Sequence, residues 1–481
     1  MPELVLAGTA IAVILLDLFV RHKGVLTAIS LIGIAVAAGF AISLWNGSPQ
    51  AIFNDMLAVD NFGIFFKLLF LFIAAMVILV SIDYVNKLAR FQGEYHALLL
   101  FATLGMMLMA AATDLISVFV SLELTAISFY LLVGFLKDNR STESSLKYIL
   151  LGGVASAVLL YGMALTFGFT GETQLAGITR SIQETTASSS LLASPGLVFG
   201  LVLLIAGFGF KIAAVPFHMW APDVYEGAPT PVTLYLSVGS KVAGFAVILR
   251  VFFSAFGLPE ALSIDWGMAF AVLSAVSITL GNILAIQQSN IKRMLAYSGI
   301  AHSGYIMISL ATTGLSGSAE VIGQSSTLFY VVAFALADLA AFAAIIAISN
   351  KANSDLIKDY SGMGKRAPVL ALVLTLGLIS LTGLPPAAGF IAKFYIFSGA
   401  AANGLLWLVI IAVLNSAISA FYYLRVAKLM WLGKPSGESG VPSSPALRLV
   451  LAITCIGILL FGIAPSLLIK LAEMAAAMFA F

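Results

Sequence analysis

Runs of about 20 apolar residues recur from one end of the chain to the other, and a run of that length crosses the hydrocarbon core of a bilayer as a helix. The runs centre on roughly residues 12, 35, 70, 104, 124, 157, 207, 241, 276, 303, 337, 383, 416 and 458. They define about fourteen segments, numbered below in chain order. Inside hydrocarbon every backbone N–H and C=O must be satisfied by the protein itself, which leaves the α-helix for such runs. A soluble fold fails on composition. Only 10% of the residues are charged and 61% are hydrophobic, whereas a soluble chain carries roughly 25% charged residues. The expected fold class is an all-α integral membrane protein.

Basic residues orient the segments. Arg21 and Lys23 follow segment one, Lys87 and Arg90 segment three, and Lys137 and Arg140 segment five. Lys292 and Arg293 follow segment nine, Lys351, Lys358, Lys365 and Arg366 segment eleven, and Lys428, Lys434 and Arg448 segment thirteen. Loops after even segments carry almost none, Arg180 being the exception. By the positive-inside rule the odd loops are cytoplasmic and both termini lie outside. The loop around Asp223 lacks basic residues but fits the parity. The longest external connection, about Gly171 to Pro195, is Ser/Thr-rich and expected to be irregular. Glu3 precedes the first apolar run, where a secretory signal wants a basic start.

Several function classes drop out. A net charge of +2 gives no broad basic face for nucleic acid. No GxxxxGK[ST] string offers a phosphate cradle for ATP. The single cysteine, Cys455, excludes a disulfide, a thiolate zinc site and an iron–sulfur cluster within this chain.

Charges inside the apolar runs carry the functional signal. Lys67, Lys147, Lys211, Lys241 and Lys393 intrude, as do Asp17, Asp60, Asp114, Glu123 and Asp338. A charge at a helix centre costs about 2.5–3.5 kcal/mol on insertion scales and marks an ion path or an interhelical pair. Glu123 in segment five, Lys211 in seven, Lys241 in eight and Lys393 in twelve are deep, and read as proton sites. Lys147 is near the cytoplasmic end of segment six, so a proton site and a snorkelling lysine both stay open. For Lys67 a structural pair or a headgroup contact is expected. Asp17, Asp60 and Asp114 lie near segment ends and read as structural. Asp338 is mid-segment, with its role open. A buried lysine suits a relay because desolvation disfavours its charged form while a nearby carboxylate favours it. Sodium would want an oxygen cage, so the expected ion is the proton.

Two segments are interrupted. Segment seven reads Gly207-Phe208-Gly209-Phe210-Lys211 and then Val215-Pro216-Phe217-His218. Segment twelve reads Gly383-Leu384-Pro385-Pro386-Ala387-Ala388-Gly389, then Lys393. Proline removes a backbone donor and clashes with the preceding turn. Interrupted helices in corresponding positions of two repeats point to an ion site at the repeat interface. The breaks are five segments apart, an odd offset that predicts two inverted repeats of about five helices each, with discontinuous helices seven and twelve. The expected domains are residues 1–92 (three helices), 93–255 (segments four to eight), 256–431 (nine to thirteen) and 432–481 (segment fourteen). His218 and His302 lie in or beside segments, and imidazole titrates near neutrality, so both are candidate relays.

Several strings resemble a known family. They are Asp114-Leu115-Ile116-Ser117 leading to Glu123-Leu124, then Lys147-Tyr148, then Lys211 followed by the run from Val215-Pro216-Phe217-His218-Met219-Trp220 to Gly227-Ala228-Pro229. Asn290-Ile291-Lys292-Arg293, His302 and Gly383-Leu384-Pro385-Pro386 with Lys393 complete the set. Together they look like the antiporter-like proton-pumping subunits of respiratory complex I, NADH:quinone oxidoreductase, and most like the subunit N branch. The opening Met1-Pro2-Glu3-Leu4, the lysine at 393 and the short end after segment fourteen carry that narrower likeness. Ser303 departs from the family's usual methionine, and Asp338 has no counterpart in the pattern. The resemblance implies that Glu123 pairs with Lys211, that Lys147 assists at the cytoplasmic input, that Lys211, Lys241 and His302 pass protons, and that Lys393 ends the second half-channel. It also implies that this chain binds no cofactor or metal. NAD, FMN, iron–sulfur clusters and quinone would belong to partner subunits, with a neighbouring antiporter-like subunit and small membrane subunits alongside, in a bacterial inner membrane. The rival reading is a subunit of a multi-subunit sodium/proton antiporter, which needs no redox partner. A scaffold whose charges only lock helices together is a second rival, separable by substitution of Lys211.

Overall fold

The computed structural model describes residues 1–20, 23–85, 91–188, 195–257, 266–312, 318–435 and 440–477. Arg21, Lys87 and Arg90, used above to orient the chain, lie outside them. The described residues are almost wholly helical. One exception is a small antiparallel ribbon between segments two and three, in which Gln50–Ile52 pairs with Leu57–Val59. Among the described residues ten helices are long and apolar enough to cross a membrane, and they fall on segments two to six, eight, nine, eleven, thirteen and fourteen. Segment one is the 16-residue helix Pro2–Asp17. Segment ten is Ile291–Leu310. Segments seven and twelve are the two broken ones.

Local sequence explains where helices begin. Asp114 caps Leu115–Val133 by accepting from Ile116 N at 2.8 Å. Asp138 caps Asn139–Thr170 by accepting from Ser141 N at 2.7 Å. Asn290 caps Ile291–Leu310 through Lys292 N and Arg293 N. Each cap satisfies amide donors that a helix leaves orphaned at its start.

The core is built around segments eight and eleven. The membrane-length stretches of Thr230–Ala255 and Gly323–Ala352 are 100% and 94% buried, against 28% for Asn139–Thr170. The helices carrying Lys241 and Asp338 therefore have protein, and not lipid, as their surroundings.

Structural pairs account for most of the remaining intruding charges. Lys67 is buried against Glu3 at 2.6 Å, joining segments one and three. Asp17 meets Lys23 at 2.6 Å. Asp60 and Arg250 form a buried two-pronged pair at 2.5 and 3.0 Å, and Arg250 also donates to Ala110 O at 2.7 Å. That knot ties the start of segment three to the ends of four and eight, a grouping that the parity of the segments requires. The Gly171–Pro195 connection is not irregular throughout: Leu175–Ser188 is a helix. Its buried face is Leu175, Ile178 and Ile182, a helical spacing that the polar composition obscures.

Candidate functional site

Both interruptions are satisfied by side chains from elsewhere in the bundle. The helix Pro195–Lys211 stops at its lysine, Ala213 turns into the left-handed region at φ 56°, and helix resumes at Trp220. Ile212 O accepts Ser303 Oγ at 2.6 Å, Val215 N donates to Ser277 Oγ at 2.9 Å, and Phe210 O accepts Trp220 Nε1 at 3.0 Å. Irregular backbone at membrane depth survives only with such partners. In segment twelve Gly383, at φ 84°, ends Pro368–Thr382. Thr382 O then accepts both Lys393 Nζ at 2.8 Å and Ser416 Oγ at 3.0 Å. Lys211 precedes its break and Lys393 follows its own, yet the Lys393 ammonium folds back onto the break.

Lys211 is buried, and its Nζ has no hydrogen-bond partner among the described residues. It lines a cavity of about 20 Å³ with Ser156, Tyr130, Tyr148 and Phe210, room for about one water molecule. Ser156 Oγ donates a short hydrogen bond to Glu123. Glu123 and Lys211 make no ion-pair contact among the described residues, yet the carboxylate acts on the ammonium electrostatically, as the expected pairing asks, while Ser156 of segment six binds the carboxylate. Glu123 itself is only half-buried. Tyr148 stacks on Trp220 at 4.7 Å and meets Tyr130 edge-on at 4.7 Å, wedging segments five, six and seven together next to this cavity.

Lys241 follows a π-helical turn, Leu236–Ser240. Its Nζ is buried and lies 5.4 Å from the centroid of the Phe334 ring. Polar groups continue from there. Ser298 bonds Tyr423, whose hydroxyl is 3.4 Å from His302 Nε2, and His302 Nδ1 meets Tyr330 OH at 2.8 Å. The His302 ring packs on Tyr305 at 5.7 Å, and Lys393 Nζ lies 4.5 Å from the Tyr305 centroid while bonding Ser416 Oγ at 2.9 Å. Lys241, His302 and Lys393 therefore lie along one buried file, with the Phe334 ring between Lys241 and His302 and the Tyr305 ring between His302 and Lys393. His218 does not join it: no side-chain hydrogen bond connects it to the lysines among the described residues.

Of the two readings open for Lys147, its 44% exposed side chain fits the snorkelling one. It reaches Glu143 at 2.8 Å and Asp223 at 3.2 Å. Arg293 binds Asp223 at 2.6 Å and Glu226 at 3.1 Å, while Lys292 and Arg140 meet Asp355 at 3.4 and 3.8 Å. This charged network joins the starts of segments six and ten to the loop after seven. Lys292, read above as a loop residue, is buried in it and donates to Ala228 O at 2.8 Å. Burial alone would raise the Asp223 carboxyl, but Arg293 and Lys147 hold it below the usual carboxylate range. The serines and tyrosines that complete the site escape a sequence reading, because a hydroxyl in a span is cheap and gives no signal in a hydropathy count.

Residues 112–419 match the family model described as NADH:quinone oxidoreductase/Mrp antiporter, TM. NADH-quinone oxidoreductase subunit N of Dehalococcoides mccartyi is 51% identical, with 99% of this chain and 98% of that one aligned. A chain of respiratory complex I from Thermus thermophilus is 34% identical with a TM-score of 0.82, covering 98% of this chain and all of that one. A chain of the Mrp complex from Dietzia sp. DQ12-45-1b shares the fold, with a TM-score of 0.86 at 20% identity and coverage of 100% and 97%. Sequence, fold and motif agree, and the chain belongs to the subunit N family of NADH-quinone oxidoreductase, the antiporter-like membrane subunits of respiratory complex I.

Proposed function

We propose that this chain moves protons across the bacterial inner membrane as a subunit of an NADH:quinone oxidoreductase. The path runs through Glu123, Lys211, Lys241, His302 and Lys393. The observation that carries this reading is the set of buried titratable groups between the two broken helices: Lys211 at the first break, Lys241, His302, and Lys393 folded onto the second. Lys147 stands at the cytoplasmic mouth within the charged network and helps to load protons. His218, beside the first break, lies off the file and takes no step in this reading. The path is built on about fourteen membrane helices, with both termini outside. Residues 1–92 form a three-helix segment, 93–255 and 256–431 two inverted repeats, and 432–481 the last span.

The redox chemistry belongs to partners. NAD, FMN, iron–sulfur clusters and quinone are held by other subunits, and a neighbouring antiporter-like subunit packs against the half-exposed Glu123 side, with small membrane subunits nearby. Moving one proton against 100 mV costs about 2.3 kcal/mol, which quinone reduction in those partners supplies. Within this chain the work is to hold and release protons. A lysine in a dry site switches when a carboxylate or a water changes its surroundings.

The test is Lys211→Met in the intact complex, read as NADH-driven proton uptake into sealed vesicles. Assembly should be retained and pumping should fall on the order of tenfold or more, the scale of losing one acid–base group. An assembled complex that pumps at the parental rate would show that Lys211 carries no proton.

A further inference from the structure

We propose that Asp338 is the charge partner of Lys241 and holds a proton beside it in the second half of the path. The inference rests on the relay reading above and adds a residue with no assigned role. Its geometry comes from two helices meeting in register. Ser237 and Lys241 lie four residues apart on Thr230–Ala255, and Phe334 and Asp338 lie four apart on Ser318–Ala352. In a helix an offset of four puts side chains on one face. The faces touch at two points: Ser237 Oγ donates a short hydrogen bond to Asp338 Oδ2, and the Lys241 ammonium sits over the Phe334 ring. Asp338 and Lys241 thereby face one another and act on each other electrostatically. No ion-pair contact joins them.

The arrangement repeats the one around Lys211. There a serine hydroxyl, Ser156, gives a short hydrogen bond to a carboxylate, Glu123, and the lysine beyond stands without an ion-pair contact. At Lys241 the serine is Ser237 and the carboxylate Asp338. An asparagine would accept the Ser237 hydrogen bond equally well, so packing does not explain an acid. Asp338 and Lys241 are 2% and 3% exposed, and a buried acid is tolerated only with a compensating charge or a proton. A proton passing from Lys241 to Asp338 breaks an N–H bond and forms an O–H bond. It turns an ammonium–carboxylate pair into an amine–acid pair, with no change in net charge.

The test uses the assembled complex in sealed vesicles, with Asp338→Asn, Asp338→Glu, Lys241→Met, the double variant Asp338→Asn/Lys241→Met, and Lys211→Met as reference. Asp338→Asn should lower NADH-driven pumping about fivefold or more, within the range of coupled neighbours, and Asp338→Glu should restore it. In the Lys241→Met background Asp338→Asn should cause no further loss. Parental pumping in Asp338→Asn, equal loss in the Asn and Glu variants, or losses that multiply in the double variant would each overturn the pairing. Should Asp338→Asn not assemble, Asp338→Ser and Asp338→Glu carry the test. Weak pumping by an assembled Ser variant beside a competent Glu variant supports the proposal. Parental pumping by Ser, or failure of both to assemble, reduces Asp338 to a packing residue. Parental pumping by Lys211→Met would instead sink the relay reading, whereas loss there with none in Asp338→Asn would sink only the role of Asp338.

Discussion

Serine does more at this site than any hydropathy count suggests. Ser156 and Ser237 each hold a carboxylate, and Ser277 and Ser303 satisfy the backbone that Pro216 sets free. Ser303→Ala would leave Ile212 O without its 2.6 Å donor, and an unmet buried carbonyl costs about 1–3 kcal/mol. The purified complex should therefore dissociate or unfold at a lower temperature, measured by thermal denaturation followed through this subunit. An unchanged temperature would mean that another group caps Ile212. The deep lysines and Glu123 were legible as residues, since an ionisable group in an apolar run stands out. Their partners were not, because they come from segments far away in sequence.

At the scale of elements, the breaks in segments seven and twelve were visible as Gly/Pro strings, and the helices do stop there. The sequence did not show that Lys393 turns back to Thr382 while Lys211 faces a small cavity, since a side chain's direction depends on what packs against it. The charged network at the mouth is likewise an element-level device, clasping segments six and ten around the helix Trp220–Gly227. Its acid dependence follows from Asp223. Because Arg293 and Lys147 hold that carboxyl below its ordinary value, its contribution to stability is full above the ordinary carboxylate pKa. It is lost as pH falls through the depressed one. Asp223 is 36% exposed, which limits the contribution to about 1 kcal/mol or less. Asp223→Asn should flatten the fall in thermal stability between neutral pH and roughly pH 3. A fall as steep as the parent's would place the acid sensitivity elsewhere.

For the whole molecule, the decisive expectation concerns company. In gently solubilised native membranes this chain should comigrate on a native gel with NADH dehydrogenase activity in one large band. A smaller band without that activity would favour the sodium/proton antiporter reading. The sequence by itself determined the solvent and the grouping of helix ends. Apolar length dictates a bilayer helix wherever it occurs, and basic residues gathered after odd segments sort the ends into two sets. The knot of Asp60 with Arg250 and the network around Asp223 respect that sorting. Tertiary structure alone decided which charges meet a counter-charge. Lys67 and Asp60, read from the sequence as structural, do end in closed pairs, whereas Lys147 ends half-exposed in the charged network and the Lys241 ammonium over the Phe334 ring. What separates them is the distance to a counter-charge, and distances between remote segments are set by how the bundle packs. Asp338 lay beyond a sequence reading for the same reason: its meaning comes from Lys241, nearly a hundred residues away in the chain and on the facing helix in the fold.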